Sequence, residues 1–384
     1  MRWVDQQSMT LRWPDAAVAE RSRRGDHTIL LLTLLLVAIG LGMIYSASGV
    51  LADKRFGAPS YFLKRQLLWC AVGLVALLVV ARCDLVTLRR WAVPVLLFGL
   101  LCLVLVLLPS IGVAVKGSRR WLRIGALTIQ PSEVVKLGVV LYLAHYLAKK
   151  GERIGDFWRG FAPPLVVVGL LIALIVAEPD MGTAAVIGLV TLGLLFAGGA
   201  RLGHLLVIAM TALPVVYLLV MQVGYRRQRL LSFWDPWSDP TGTGFQVIQS
   251  FLALGSGGPF GVGLGEGRQK LFYLPEPHTD FVLAALGEEL GFVGTAMVLL
   301  LLGAFVAKGF SIALETNEPF ARNVALGVSL LIGVHVLINV GVVTGLLPTK
   351  GLTLPFLSYG GSSLVVCMVG AGLLIGVHRH RPPI

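Results

Sequence analysis

The chain has 384 residues, of which 56% are hydrophobic and only 14% are charged. This composition excludes an ordinary soluble domain and predicts an all-α protein that crosses a membrane many times. The formal net charge is +12, but the basic residues are scattered among apolar segments, so we expect anionic lipid and no nucleic acid as a partner.

Residues 1–27 form a polar, arginine-rich segment with no apolar core before Thr28. This pattern predicts a cytoplasmic tail and not a cleaved signal peptide. The four cysteines lie in or beside apolar runs at unrelated spacings. We therefore expect them to behave as small apolar residues, and neither as metal ligands nor as a disulfide framework.

The apolar runs predict about ten transmembrane helices in a domain covering residues 28–378. The expected spans are 28–48, 66–82, 92–109, 132–149, 161–177, 181–199, 204–223, 281–308, 323–345 and 363–378. An even number places both termini on one side of the membrane. A slight excess of basic residues on that side predicts that the N-terminus and the C-terminal tail, 379–384, are both cytoplasmic.

The longest connection, residues 224–280, is then an extracytoplasmic loop between the seventh and eighth spans. It contains an apolar segment, Phe245 to Leu254, that predicts a short amphipathic helix, which either lies in the membrane interface or re-enters the edge of the bilayer. Residues 255–267 are rich in glycine, which lets backbone approach a ligand closely. No strand–turn–helix context surrounds them, so a dinucleotide site is not expected.

The eighth span begins at a polar sequence, His278-Thr279-Asp280. Thr279 is a candidate N-cap, and Asp280 would lie in the first helical turn, where the helix dipole favours an acid. A helix from Asp280 to Lys308 would be roughly 43 Å long, against a hydrocarbon core of about 30 Å. We therefore expect residues 280–289 to form a lead-in at the outer boundary, bent near Gly287 or Gly291. Asp280 is either a capping acid or a base.

Three other outer segments carry polar groups. Glu133 and Lys136 are i,i+3 neighbours at the start of the fourth span and predict either a salt bridge or a site. Asp180, in the turn before the sixth span, is a candidate N-cap. The segment around Lys350, Ser358 and Ser362 predicts a turn with an N-cap at Ser362 or Ser363. His145, His335 and Asn339, inside spans, are expected to be hydrogen-bonded core groups.

The predicted outer side carries more positive charge than orientation rules favour. This excess indicates either a site for an anionic group or contact with anionic lipid heads alone. The residues are Lys116, Arg119, Arg120, Arg123, Arg226, Arg227, Arg229, Arg268, Lys270 and Lys350.

Six motifs together resemble the SEDS family (shape, elongation, division, sporulation), the FtsW/RodA group, and are closer to its FtsW branch. They are GSRRW at 117–121, QPSEVVKL at 130–137, EPDMGT at 178–183, GLGEGRQKLFYLPEPHTDF at 263–281, GEELGFVG at 287–294 and LPTKGLTLPFLSYGGSS at 347–363. EPDMGT departs from the more familiar QPDLGT but keeps Asp180.

The resemblance implies a peptidoglycan glycosyltransferase that polymerises lipid II at the outer face of the membrane during septal cell-wall synthesis. It implies a class B penicillin-binding transpeptidase and other divisome membrane proteins as partners. It also implies that Asp280 is the essential carboxylate. The resemblance further implies Arg120, Glu133, Lys136 and Asp180 as site residues. Besides these four, which we expect to bind substrate, we expect the same of Lys270, His278, Lys350, Ser358 and Ser362.

The chemistry of lipid II is compatible with one acid among cations. Its diphosphate leaving group is already anionic, so the carboxyl pair of glycoside hydrolysis is not required. One base could take the proton from the acceptor hydroxyl, while cations neutralise the departing diphosphate. A Mg²⁺ or Mn²⁺ ion could bridge carboxylate and diphosphate, but no ligand spacing in the sequence demonstrates it.

Two other functions compete with this interpretation. A flippase for a lipid-linked precursor would place ionisable residues near the bilayer midplane, often on broken or repeated helices. The predicted spans are clean and their charges cluster at one face, which favours surface chemistry. A non-catalytic scaffold for a transpeptidase would explain the spans but not Asp280 among basic loops.

Overall fold

A computed structural model describes residues 16–115, 118–125, 127–270 and 277–379. Within these ranges the chain forms twelve α-helices and three short β-strands. The helices are α1 (Ala16–Phe56), α2 (Tyr61–Val80), α3 (Leu85–Leu107), α4 (Pro131–Lys150), α5 (Ala162–Ala177), α6 (Met181–Ala197), α7 (Leu202–Met221), α8 (Gly224–Trp234), α9 (Phe245–Gly257), α10 (Val282–Leu314), α11 (Pro319–Val343) and α12 (Gly361–Arg379). The strands are β1 (Gly112–Val115), β2 (Ser118–Ile124) and β3 (Leu127–Ile129).

Each predicted span coincides with one helix, from α1 to α7 and from α10 to α12. Within the described ranges, eight of these helices are long and apolar enough to cross a membrane. The prediction of an all-α, multi-pass membrane protein is confirmed. Helix α6 is shorter, and α4 carries charge at both ends, so the number ten stays a prediction. The domain limits also stay predictions; residues 1–15 and 380–384 of the predicted tails lie outside the described residues.

Helix α4 lies at the centre of the bundle and is buried along most of its length. It packs against α3, α6, α11 and α12. A central helix faces protein instead of lipid, so its charged side chains can pair with other protein groups. An unpaired charge facing hydrocarbon would be energetically costly. Helix α7 is the opposite case, because none of its residues is buried.

The connection between α3 and α4 folds into a three-stranded antiparallel sheet, which the sequence did not predict. Strand β2 is central, with Trp121 opposite Val113 on β1 and Leu122 opposite Ile129 on β3. The strands are short, and a register irregularity interrupts the first pair. They therefore lack the long alternation that identifies a strand in sequence. The sheet carries Arg120.

One end of the bundle, which we name the site end, brings together the starts of α4, α6, α10 and α12 and the final turns of α5 and α11. Helices α4 and α6 finish at the other end, which we name the opposite end, and α5 and α7 begin there.

Helix α10 is broken at Gly291, which has φ 66° and ψ −166°. The segment before the break, Val282 to Glu289, is buried in protein. The predicted bend is thus confirmed, with Gly291 as the hinge, whereas the position of the lead-in at the outer boundary stays a prediction. The predicted Thr279 N-cap is wrong, because the helix begins at Val282 with Phe281 as its N-cap.

The glycine-rich loop supplies the hydrogen bonds that the break removes. The N–H groups of Val262 and Gly263 donate to the carbonyls of Glu288 and Glu289, at 3.0 and 3.1 Å. Phe292 and Val293 donate in return to the carbonyls of residues 258 and 259. Buried backbone groups must find such partners. These glycines therefore let the loop approach the backbone of α10, while the approach of a ligand stays a prediction.

The break predicts that replacing Gly291 by a residue with a side chain lowers the stability of the protein. In Gly291→Ala, the new Cβ would meet the backbone of Gly261 and Phe260, and the positive φ disfavours any side chain. We expect a loss of about 1–3 kcal/mol or more of stability, measured as a lower melting temperature in detergent. Gly303→Ala, in the same helix with open space at its Cβ, is the control and should be nearly neutral. Equal melting temperatures of the two variants would contradict the role of the break.

Candidate functional site

Asp280 lies in a turn, residues 277–280, that precedes α10 at the site end. Buried Asn339 on α11 donates from Nδ2 to the carbonyl of Asp280 at 3.1 Å and to the carbonyl of Leu352 at 2.8 Å. The carboxylate also lies beside Gly351, where an added Cβ would be 3.1 Å from Oδ2. One side chain therefore joins the Asp280 turn to the loop that follows α11.

His278 fixes the other side of the same turn. Its carbonyl accepts the N–H of Tyr359 at 2.8 Å. Its buried ring lies 4.7 Å from the ring of Phe62 and 5.5 Å from that of Tyr359. The carbonyls of His278 and Asp280 are thus used by other elements, which explains why the helix starts only after them. Asp280 keeps a partly exposed side chain on a turn held from two directions.

The predicted pair Glu133 and Lys136 is buried and joins a third residue. Lys136 Nζ lies 2.8 Å from Glu133 Oε1 and 3.0 Å from His335 Nε2. His335 lies one helical turn before Asn339 on α11, and both reach the loop after that helix, at Thr353 and Leu352. The ion-pair reading of Glu133 and Lys136 is confirmed. Their role toward a substrate stays a prediction.

Ser358 and Ser362 hold the loop between α11 and α12. Ser358 Oγ accepts the N–H of Leu354 at 2.8 Å, which closes a turn. Ser362 Oγ accepts the N–H of Gln130 at 3.0 Å, which ties α12 to the start of α4. The helix begins at Gly361, so Ser362 lies inside it and the predicted N-cap at Ser362 or Ser363 is wrong.

Arg120 connects the sheet to the turn between α5 and α6. It donates from Nε to the carbonyl of Glu178 at 2.9 Å and from Nη2 to the carbonyl of Pro179. Its Nη1 lies 3.9 Å from Asp180 Oδ1. Asp180 accepts the N–H of Thr183 at 3.2 Å and is the N-cap of α6, as predicted.

Glu178 is the most unusual acid at this end. Its side chain is buried, and neither carboxylate oxygen has a hydrogen-bond partner among the described residues. Burial raises its pKa to about 8, the negative charge of Asp180 acts in the same direction, and Arg120 opposes both. At neutral pH this side chain is mostly a neutral acid, which is how a buried carboxyl avoids an unpaired charge.

Lys350 marks a cluster of cations drawn from three segments. Burial lowers its pKa, and the charges of Arg229 and Arg226 on α8 lower it further. Asp180 raises the same pKa, and Arg120 lowers it. These effects on Lys350 show that its ammonium group lies near charges carried by β2, by α8 and by the turn before α6. Positive charges held close to one another favour a bound anion.

Lys270 lies elsewhere. Its Nζ is 2.6 Å from Glu289 Oε1, 3.0 Å from Ser46 Oγ and 2.7 Å from the carbonyl of Gly265. A lysine has three donors, and three acceptors use them. The neighbouring acid Glu288 accepts the backbone N–H groups of Arg268 and Gln269. Lys270 therefore anchors the glycine-rich loop to α10, and its role as a substrate contact stays a prediction that this pairing does not support.

Within the described part of the chain, no group of three or more His, Cys, Asp or Glu side chains could hold a metal ion. A divalent cation at Asp280 would need further oxygen ligands from a substrate. Sequence reasoning placed His335 and Asn339 in the core, correctly, but missed that both contact the site loop. Their spacing of four residues on one helix face was the available signal.

Comparisons with known proteins agree with these motifs. A family model described as "Cell cycle protein", which groups FtsW, RodA and SpoVE, matches residues 26–382. A protein of Geobacter metallireducens named "Probable peptidoglycan glycosyltransferase FtsW" is 47% identical over 354 residues, 92% of this chain and 94% of that protein. "Stage V sporulation protein E" of Bacillus subtilis is 44% identical over 355 residues, 92% of this chain and 97% of that protein.

Solved structures show the same architecture. A chain from a peptidoglycan synthase complex, studied for the coordination of polymerization and crosslinking, matches with a TM-score of 0.75 and 33% identity, covering 91% of this chain and 96% of that one. The rod shape determining protein RodA of Thermus thermophilus matches with a TM-score of 0.68 and 30% identity, covering 92% and 96%.

The pKa of Glu178 makes a prediction about stability. The pKa of Glu178 is about 8 in the folded chain, against an ordinary value of 4.5. Between pH 4.5 and pH 8, the unfolded chain therefore releases a proton that the folded chain keeps. Stability from this group is therefore present below pH 4.5 and is lost as pH rises toward 8. The melting temperature of Glu178→Gln, relative to the parent, should increase across this range. Glu266→Gln, which replaces an exposed acid, is the control. The prediction would be contradicted if the melting temperatures of Glu178→Gln and of the parent changed in parallel with pH.

Proposed function

Because this chain belongs to the FtsW/RodA/SpoVE family, we propose that it is a peptidoglycan glycosyltransferase of the FtsW type, which polymerises lipid II for the septal wall in cell division. The observation that carries the proposal is the Asp280 turn, which hydrogen bonds from Asn339 and Tyr359 hold beside the loop of Lys350. A partly exposed carboxylate is fixed there at the end of a membrane bundle, next to a cluster of cations.

Asp280 acts as the general base. Its carboxylate takes the proton from the 4-hydroxyl of the acceptor sugar as that oxygen attacks the anomeric carbon of the donor. The new glycosidic bond forms while the bond from that carbon to the diphosphate breaks, and the polyprenyl diphosphate leaves with the electron pair. General base catalysis of this kind contributes about 10²–10⁴ in rate.

The cations around Lys350 neutralise the departing diphosphate. Arg120 and Lys350 are part-buried, and Arg226 and Arg229 come from the neighbouring helix α8. Fixed charges aimed at developing negative charge stabilise a transition state without reorganising. If a Mg²⁺ or Mn²⁺ ion is bound, Asp280 would be the residue that holds it, and the ion would supply further positive charge to stabilise the leaving diphosphate.

Glu133, Lys136 and His335 position the loop rather than carry out chemistry. Lys136 is buried, and its ammonium group already contacts Glu133 and His335. This trio lies under the loop that carries Lys350 and borders Asp280. Asp180 positions Arg120 by ion pairing, and His278 positions Asp280 through the aromatic contacts of its ring.

The site end is the extracytoplasmic face of the cytoplasmic membrane, and both termini are cytoplasmic. The location of lipid II for polymerisation and the slight charge bias of the opposite end support this orientation. The partner is a class B penicillin-binding protein with transpeptidase activity, within a larger set of division proteins. The likeness to a chain from a complex that couples polymerization and crosslinking supports this partner.

Replacement of the base tests the function directly. Asp280→Asn keeps the shape of the side chain but cannot accept the proton, so glycan polymerisation should fall by about 10²–10⁴ at an unchanged melting temperature. The assay is purified protein, with and without its partner, incubated with labelled lipid II and read on a gel. Glu266→Gln, an exposed acid in the same loop system, serves as the control.

The same preparations separate the competing functions. A flippase would move lipid II across liposomes without forming polymer, and Asp280→Asn would not change its rate. A scaffold would form no polymer in any preparation. Full-length glycan made by Asp280→Asn would remove Asp280 from the mechanism.

Asn339 gives a prediction for a positioning residue. In Asn339→Ala the tether between the Asp280 turn and Leu352 is lost, so kcat should fall about 10-fold to 100-fold, as expected for a buried hydrogen bond, with little change in KM. Asn323→Ala, a buried asparagine nearer the opposite end of the same helix, is the matched control. A loss in both variants, or an effect on KM alone, would contradict the positioning role.

A further inference from the structure

A cavity of about 790 Å³ lies at the opposite end of the bundle, away from the candidate site. It is formed where the connection from α4 to α5 meets the start of α7. The charged and polar side chains lining it are Arg153, Arg159, Arg201, His204, Glu152 and Asp156. We name it the arginine cavity. Its volume falls in the range of about 300–1,000 Å³ that is typical of ligand sites.

Three arginines that face this cavity form neither an ion pair nor a side-chain hydrogen bond with any other described residue. Among the described residues, no hydrogen bond or ion pair engages the side chains of Arg153, Arg159 or Arg201. The three come from separate segments: a 3₁₀ turn (Gly151–Arg153), a π-helical turn (Phe157–Phe161) and the N-cap of α7. Three guanidinium groups left unpaired around one cavity are suited to bind an anion that carries several acceptor oxygens.

The two acids of the cavity do not cancel this charge. Asp156 Oδ1 accepts the backbone N–H groups of Trp158 and Arg159, each at 3.0 Å, and caps the π-helical turn. These bonds, together with Arg159 and Arg201, lower its pKa. Glu152 is exposed. The cavity therefore keeps an excess of positive charge over a wall that backbone hydrogen bonds hold in place.

The wall is further fixed by aromatic contacts. The ring of His204 lies 5.3 Å from each of the rings of Phe157 and Phe161. These contacts hold the first turn of α7 against the π-helical turn. The position of Arg201 relative to Arg159 is therefore set by packing as well as by the chain connection. Such fixed placement lowers the entropic cost of binding a ligand.

The mouth of the cavity borders a surface suited to acyl chains. No residue of α7 is buried, and Leu202 and Leu206 on its first two turns are 62% and 56% exposed. Trp158, beside Arg159, is 79% exposed, as expected for an aromatic residue at the level of lipid head groups. An apolar face therefore continues directly from a cationic cavity.

We propose that the arginine cavity binds the head group of an anionic phospholipid, whose acyl chains lie along α7. The shared chemistry is a phosphate diester held by guanidinium groups, and the adjoining apolar helix favours a membrane lipid over a soluble phosphate. Basic pockets between transmembrane helices bind lipid head groups in this way. The inference is independent of the proposed function, since it concerns the other end of the molecule.

The test uses the full-length protein, purified in detergent and examined by native mass spectrometry with equal amounts of phosphatidylglycerol and phosphatidylcholine of the same acyl chains. The parent should bind phosphatidylglycerol preferentially. Combined Arg153→Gln, Arg159→Gln and Arg201→Gln should weaken that binding about tenfold or more and leave phosphatidylcholine unchanged. The matched control combines Arg82→Gln, Arg90→Gln and Arg322→Gln, three exposed arginines at the same end outside the cavity, and should lose less than about twofold.

Three outcomes would overturn the proposal. They are an unchanged affinity in the cavity variant, an equal loss in the control, and displacement of the lipid by glycerol 1-phosphate or inorganic phosphate at similar concentrations. Equal loss would mean diffuse attraction to the surface, and displacement would mean a site for a soluble anion. If the triple variant does not fold, Arg201→Gln alone should still weaken phosphatidylglycerol binding about threefold or more; no loss would count against the proposal.

Discussion

The break of α10 at Gly291 is the constraint on which the site depends. A helix that crossed the bilayer without a break would run past the boundary in a straight line. The break turns its first part into the protein, where Val282 to Glu289 are buried. The freed backbone groups are satisfied by the glycine-rich loop, and the carboxylates of Glu288 and Glu289 hold that loop through Lys270 and backbone N–H groups. Asp280 is thereby placed at the site end of the bundle on a short, supported segment.

A single loop then joins the separate parts of the site. Residues 350–354 border Asp280, receive Asn339 at Leu352, and lie over His335 and its contact with Lys136. The same loop carries Lys350, whose pKa is shifted by the charges of Arg226, Arg229, Arg120 and Asp180. The positions of Asp280 and of these cations are thus set by one connection between two rigid helices. Charged groups placed on such a support need little reorganisation when charge develops next to them.

The two ends of the bundle treat positive charge differently. At the site end, Arg120 is paired with backbone carbonyls and with Asp180, and Lys270 is fully paired. At the opposite end, the arginines of the arginine cavity have no such partners among the described residues. Paired cations hold a shape, whereas unpaired cations beside an apolar face attract an anionic ligand. The positive charges of this chain therefore divide into cations paired within the protein and cations that the described residues leave unpaired.

The sequence by itself determined the membrane class, the position of each long helix, the break at one of two glycines and the family with its candidate acid. Apolar length, glycine and motif wording are local properties, so they can be read along the chain. Tertiary structure alone decided the start of α10, the small sheet, the pairing of Lys270 and the neutral state of Glu178. These depend on groups distant in sequence: Asn339 and Tyr359 take the carbonyls before α10, and Glu289 takes Lys270. No local pattern records which remote partner will satisfy a buried polar group.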